Sequence, residues 1–175
     1  MALKLPHFFT LAGVVMICPE QEMIGMERFQ ATMQLLQQVG FPTEFTYRYF
    51  FNGPWSDGLS LEIKTGVEYG LLNEYKEDNQ KSWAPTASAR RIISLDDVIS
   101  YRKTIHILNA IPLVKLLLAS KYDRYRVLGH THQESLRKLG EGYVDWQDVG
   151  EQDKSLRNLF LPIGLYQSEF QSRVS

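Results

Sequence analysis

The chain has 175 residues, 44% apolar and 22% charged, a balance that suits one folded domain and excludes a disordered or low-complexity chain. With 19 lysines and arginines against 20 aspartates and glutamates the net charge is −1, which excludes a global electrostatic pull toward nucleic acid or an anionic membrane. A single cysteine, Cys18, excludes an intramolecular disulfide and fits a reducing, cytoplasmic setting.

The first predicted element is an apolar helix over residues 6–18 that stops before Pro19. It is about half the length of a membrane span. Only Lys4 precedes it and no small-residue cleavage site follows before Glu20 and Glu22, so it reads as a buried helix and not as a signal segment. In residues 26–39 Met26, Phe29, Met33, Leu36 and Val39 recur three and four apart, the pattern of a helix with one apolar face, closed by Gly40. From Phe45 to Phe51 the period becomes two: Phe45, Tyr47, Tyr49 and Phe51 face one way, expected to be the core, and Thr46, Arg48 and Phe50 the other. Asn52-Gly53-Pro54-Trp55-Ser56 then forces a turn. Ser56 caps a third helix over 56–69, with Leu59, Ile63 and Val67 on one side, and the Trp55 ring is expected to be at least half covered.

Two short strands, 71–75 and 89–93, are predicted to bracket the polar run Lys76 to Ser82. Three helices and a two-stranded ribbon follow the winged-helix order. The second half reads as helical. Ser94 and Asp97 form a cap variant before a stripe of Val98, Tyr101, Ile105 and Leu108. Pro112 opens a helix whose Leu113, Val114, Leu116, Leu117 and Leu118 are apolar nearly all round, as in a buried core helix. Thr131 and Glu134 form a capping box. Gly140 and Gly142 are expected to break the chain, Tyr143, Val144 and Trp146 to pack back as an extended piece, and a last helix from Asp153 to carry Leu156, Leu159 and Phe160 before Pro162. The expected fold is therefore one mostly helical α+β domain over 1–175. A winged-helix-like part at about 1–94 carries a two-stranded wing, and a helical part at about 95–175 packs on it.

No residue pattern for catalysis, a cofactor or a metal emerges. His130 and His132 stand as H-x-H around the predicted cap Thr131, with no third ligand of the kind zinc requires, and read as solvated turn histidines. Cys18 has no neighbouring base. No phosphate-binding loop, dinucleotide fingerprint or nucleophile elbow occurs. A DNA-reading helix presents cations or amides to the groove. The helix in that place, 56–69, carries Asp57, Glu62 and Glu68 against one Lys64.

The run Arg28-Phe29-Gln30, the segment Tyr47-x-Tyr49-x-Phe51-x-Gly53-Pro54-Trp55-Ser56-x-x-Leu59, Gly70-Leu71-Leu72, and the later Tyr122-Asp123-x-Tyr125 with Gly129 resemble the YwgA-like and Panacea (SocA-like) families. The sharpest of these is the turn Gly53, Pro54, Trp55 and Ser56, with Trp55 standing where those families usually have tyrosine. The resemblance covers about residues 20–140. It implies a winged-helix-like domain without catalytic activity and, on the Panacea side, an antitoxin that neutralises a partner protein.

These readings converge on a non-enzymatic regulatory or protein-interaction module, antitoxin-like if the resemblance holds, whose partner is a protein such as a toxin or regulator. The alternative is a winged-helix transcriptional regulator, and an enzyme with a site assembled from scattered residues ranks third. No membrane partner is expected, and self-association is an open option. The wing is the expected docking surface, through Tyr75, Trp83, Arg90, Arg91 and Ile92: tryptophan and tyrosine as interface anchors, the arginines as complement to an acidic partner.

Overall fold

A computed structural model describes residues 6–142 and 149–171, and shows a mostly helical α+β arrangement with two small antiparallel sheets. The chain runs α1 (His7–Ile17), a 3₁₀ turn (Pro19–Gln21), β1 (Met23–Ile24), α2 (Met26–Gln38), β2 (Arg48–Phe50), β3 (Gly53–Trp55), α3 (Asp57–Glu68), β4 (Leu72–Glu77) and β5 (Gln80–Pro85). The helices α4 (Ala87–Ile92), α5 (Asp96–Ile99), α6 (Arg102–Ala110), α7 (Leu113–Val127), α8 (His132–Gly142), α9 (Val149–Ile163) and α10 (Gln167–Gln171) follow.

Helix α1 buries Leu11, Ala12, Val14, Val15 and Ile17. It has no side-chain cap of its own; the Glu62 carboxylate accepts the Phe8 N–H at 2.9 Å, placing negative charge at the positive end of the helix. Helix α2 is buried on two sides. The periodic apolar face is one, and Gln30, Gln34 and Gln37 form the other, where each side chain holds a different part of the chain. Gln30 accepts the Ser56 N–H at 2.8 Å and donates to the Ser56 carbonyl and to Ser60 Oγ, fixing the start of α3. Gln37 does the same for the Phe45 backbone. Ser56 caps α3 as its position foretells, its Oγ accepting the Leu59 N–H at 3.2 Å.

The ribbon differs from the expectation. Strand β4 begins where predicted, but its partner β5 is Gln80–Pro85, which starts inside the polar run and ends before the predicted 89–93. The polar stretch contains the turn itself: Asp78 and Asn79 take φ of 44° and 66°, the left-handed pair that a two-residue hairpin requires. Residues 89–93 are not a strand. Pro85 ends β5, Thr86 Oγ1 accepts the Ala89 N–H at 3.0 Å, and the chain enters α4. A third strand, β1, pairs antiparallel with β5 (Met23 opposite Trp83), giving the order β1-β5-β4. Arg90, Arg91 and Ile92 therefore lie on a short helix beside the ribbon, not in it.

In the second half the stripe Val98 to Leu108 is split between α5 and α6, which meet at Ser100–Tyr101. The capping box forms: Glu134 accepts the Thr131 N–H at 2.8 Å, and Thr131 Oγ1 accepts the Glu134 N–H at 3.2 Å. Helix α8 buries Leu136 and Leu139 and runs on through Gly140 to Gly142; a helical glycine costs only about 1 kcal/mol and does not by itself end a helix. Helix α9 starts before Asp153 and buries Leu156, Leu159 and Phe160 as expected, but it includes Pro162 in its last turn, ends at Ile163, and is followed by α10. The expected extended piece at Tyr143, Val144 and Trp146 lies outside the described residues.

Among the described residues no single helix is long and apolar enough to cross a membrane; α6 and α7 meet that composition only as a pair bent by 119°.

Candidate functional site

Buried polar groups come first, since chemistry would start from them. Asp123 on α7 is fully buried; its Oδ2 accepts from Gln34 at 2.6 Å and its Oδ1 from the Tyr166 hydroxyl at 2.5 Å, while Ser120 donates to Gln34 Oε1 at 2.7 Å. Burial pushes the Asp123 carboxyl above the ordinary aspartate range, against the two donors that pull it down. One residue away, Tyr122 points into the helical half. Its hydroxyl lies 2.8 Å from His132 Nδ1, and His132 Nε2 lies 3.0 Å from Asp153 Oδ1. His132 is thus buried between α7, α8 and α9, correcting its reading as a solvated turn residue. Thr131 caps the helix with its own side chain, which turns His132 inward on the first turn, against Tyr122 and Phe170.

Among the described residues, Asp123, Tyr122 and His132 line none of the following clefts. A cavity of about 210 Å³ lies at the elbow of α6 and α7 against α9, with Ile111, Lys115, Leu118, Gln152 and Leu156 in its wall and no histidine, cysteine or carboxylate lining it. More open clefts of about 330 and 450 Å³ lie beside Arg28 and Gln80 and between the start of α2 and the β4–β5 turn, and one of about 300 Å³ lies beside Arg48 and Trp55. Among the described residues no group of three or more His, Cys, Asp and Glu side chains is placed to hold a metal. Cys18 is buried and its thiol is pushed up to about 12 by desolvation, with Arg28 opposing, so it stays protonated and unreactive at neutral pH.

What the chain does expose is apolar surface. Helix α3 shows solvent Leu61 (62% exposed), with Lys64 beside Glu68 and Asp57 paired to Arg48; Tyr69, just past its end, is 72% exposed with its ring stacked on Phe8 of α1 at 5.1 Å. The hairpin of β2 and β3 shows Phe50 and Phe51, the latter 75% exposed. Alternation holds for Phe45, which is buried, and for Tyr47 and Tyr49, half-buried, but fails at Phe51, which stands in the turn after β2. Three of these aromatic rings carry cations: Arg48 over Phe50, Lys121 over Phe51 and Arg124 over Tyr49, at 5.8, 5.8 and 4.7 Å.

The turn residues Gly53, Pro54, Trp55 and Ser56 hold this hairpin in place. Gly53 and Pro54 are buried, and Trp55 is more than half covered, its Nε1 donating to Asp57 Oδ1 at 3.0 Å. Gly53 has φ 115°, and a Cβ there would stand 2.8 Å from Leu117 Cδ2 on α7. Gly53→Ala is therefore expected to lose about 1–3 kcal/mol through backbone strain and overlap together. Pairing it with Leu117→Ala should return only part of that in a thermal unfolding series.

The expected wing residues separate. Tyr75 on β4 and Ile92 on α4 are exposed, as are Arg90 and Arg91. Trp83 is not: it is fully buried, tilted against Phe29 at 5.7 Å, with Nε1 donating to Glu74 at 3.1 Å. It is a core residue, because β5 is the central strand of the sheet and its inner face lies on α1 and α2. The docking set loses its central anchor.

With this geometry in hand, comparison with known proteins adds one relation. A 56-residue stretch is 34% identical to the uncharacterised protein YwgA of Bacillus subtilis (strain 168). This supports a distant YwgA-like relation. The matched stretch spans 32% of this chain and 34% of that protein, so the chain covers about a third of the relative's length. No family model matches the chain, and no solved structure does.

Proposed function

We propose that this chain is a non-enzymatic protein-interaction module with a winged-helix-like N-terminal half, binding a partner protein in a reducing, cytoplasmic setting. The order of α1, β1, α2, α3, β4 and β5, with β1 beside β5, supports the winged-helix part.

The observation that carries the function is the outer face of α3. A helix placed to read a DNA groove needs cations and amides. This face offers Leu61, with Tyr69 just past its end, its lysine lies 3.7 Å from Glu68, and Asp57 takes up Arg48. Apolar groups within a self-neutralised rim suit a protein surface. An antitoxin-like role is the narrower form of this reading and rests on the family resemblance. The DNA-binding alternative keeps one supporting feature, the exposed Arg90 and Arg91 on α4.

Duplex DNA tests the two readings. Fluorescence anisotropy at physiological salt is expected to give binding weaker than about 1 µM without sequence preference, the range of non-specific phosphate attraction. Sequence-selective binding in the nanomolar range would overturn the protein-interaction reading in favour of the regulator.

A further inference from the structure

Strand β4 leaves one edge of the three-stranded sheet open. The Gly25 N–H donates to the Lys81 carbonyl at 2.8 Å, so in β5 the backbone of Lys81 and Trp83 turns toward β1, and that of Gln80, Ser82 and Ala84 toward β4. The residues opposite these last three are Glu77, Tyr75 and Asn73. In an antiparallel pair the intervening residues direct their N–H and C=O groups away from the partner strand. Pro85, which has no N–H to give, stands opposite Leu72 and fits that pattern. Glu74 and Lys76 therefore present both backbone groups to the outer edge. Among the described residues no strand pairs with that edge and no backbone bond reaches it.

The side chains divide between two faces. Glu74 and Lys76 lie on the inner face with Trp83 and Lys81. Glu74 accepts from Lys81 at 2.8 Å and from the Trp83 indole at 3.1 Å. Lys76 stands opposite Lys81, a like charge, and among the described residues it has no ion pair. On the outer face Ile24, Ser82 and Tyr75 form one row across the three strands, with Ile24 47% and Tyr75 52% exposed.

A lysine on an edge strand ordinarily deters pairing. We infer that this edge instead pairs with itself: β4 joins β4 of a second copy of this chain, antiparallel, about a two-fold axis at Tyr75. That register sets Glu74 of each copy opposite Lys76 of the other, so the residues whose backbones meet also carry opposite charges. It sets Asn73 opposite Glu77, an amide beside a carboxylate. The two Tyr75 residues become a non-hydrogen-bonded pair with Cα atoms about 4.5 Å apart, close enough for their rings to pack. The neighbouring two-fold registers fail on charge, one placing Glu74 on Glu74 and the other Lys76 on Lys76. Self-complementarity of this kind is what a two-fold contact requires. The inference goes beyond the partner-binding reading of α3 and does not depend on it.

A contact of one short strand lies at the small end of specific interfaces, so the dimer is expected to be weak, with a Kd on the order of 10–100 µM. Sedimentation velocity on the intact chain, over concentrations spanning that value, is expected to show reversible conversion of monomer to dimer. Lys76→Pro removes an outward N–H and no bond to β5, so it is expected to fold and to remain monomeric. Lys76→Glu and Glu74→Lys are each expected to be monomeric alone and to dimerise when mixed, because the mixture restores opposite charges at both positions. On mild oxidation Tyr75→Cys is expected to form an intermolecular disulfide and Asn73→Cys is not, since only residue 75 stands opposite its own copy. Cys18 is buried and does not compete. Circular dichroism shows which variants are folded; if Glu74→Lys is not, having lost its bonds to Trp83 and Lys81, then Lys76→Pro and the two cysteine variants decide. A parent chain that stays monomeric to about 1 mM, a Lys76→Pro dimer as tight as the parent's, or Asn73→Cys crosslinking as readily as Tyr75→Cys overturns the inference.

Discussion

Replacing Trp83 with alanine is expected to cost about 3–5 kcal/mol, the range for truncating a large buried aromatic side chain. Trp83 is fully buried, and it stands where the two parts of the sheet meet: β5 pairs with β4 on one side and with β1 on the other. Its ring rests on Phe29 of α2, so the loss reaches the helical layer as well as the sheet. Glu74 would also lose the indole N–H it accepts, although it keeps Lys81 at 2.8 Å. Since domain stabilities are only about 5–15 kcal/mol, the variant is expected to lie near the unfolding transition at ambient temperature. Urea denaturation followed by circular dichroism reads this directly. A midpoint within experimental scatter of the parent would mean that Trp83 is not a core residue, and would return it to the docking surface.

The second large effect is expected at Asp123. In Asp123→Ala, Gln34 Nε2 and the Tyr166 hydroxyl both lose their acceptor. Buried donors left unpaired cost about 1–3 kcal/mol each, so a loss of roughly 2–5 kcal/mol is expected. The contact ties α2, α7 and the segment before α10 together, so the change should lower the cooperativity of unfolding as well as its midpoint. Asp123 also sets a pH dependence. Its folded-state pKa lies above the ordinary 3.8 because of burial. As pH rises from that value, the unfolded chain releases the proton first, so stability falls until the folded carboxyl has ionised too. Asp123→Asn keeps the shape and removes the titration, so its stability should lack that decline. Urea midpoints measured from about pH 4 to pH 7 compare the two slopes, and parallel slopes would show that Asp123 does not titrate differently in the fold.

Much of the helical frame was legible because periodicity and caps are local signals. Ser56 and Thr131 cap where their sequence neighbours say they should, and Leu59, Leu156 and Phe160 are buried as spaced. The ribbon was misplaced because a two-residue turn with left-handed Asp78 and Asn79 needs no glycine, and its strands are exposed enough to be polar. A stretch such as Lys76 to Ser82 therefore reads as loop while pairing as a hairpin. Strand β1 has two residues, too few for any alternation, and exists because β5 offers it an edge.

Candidate-site residues were harder to read for a related reason. Gln30, Gln34 and Gln37 look like the wet face of α2, and only tertiary partners reveal Gln30 and Gln34 as buried and Gln37 as half-buried. The stretch from Ala31 to Gln38 contains no charged residue, which is the one signal that this face is dry. The inward turn of His132 depends on Tyr122 and Asp153, supplied from distant points in the chain. Phe51 is the opposite case. Alternation assigned it to the core, but β2 ends at Phe50 and the next residue belongs to the turn.

Site-specific photocrosslinking in the native cell tests the central claim most directly, with a benzophenone side chain placed at Leu61 on α3 and at Phe51 on the hairpin. Crosslinks are expected to a defined polypeptide that, once purified, rebinds the parent chain and fails to rebind Leu61→Glu or Phe51→Ala. Adducts with DNA at Leu61, or a purified polypeptide that binds those variants as tightly as the parent, would contradict the account.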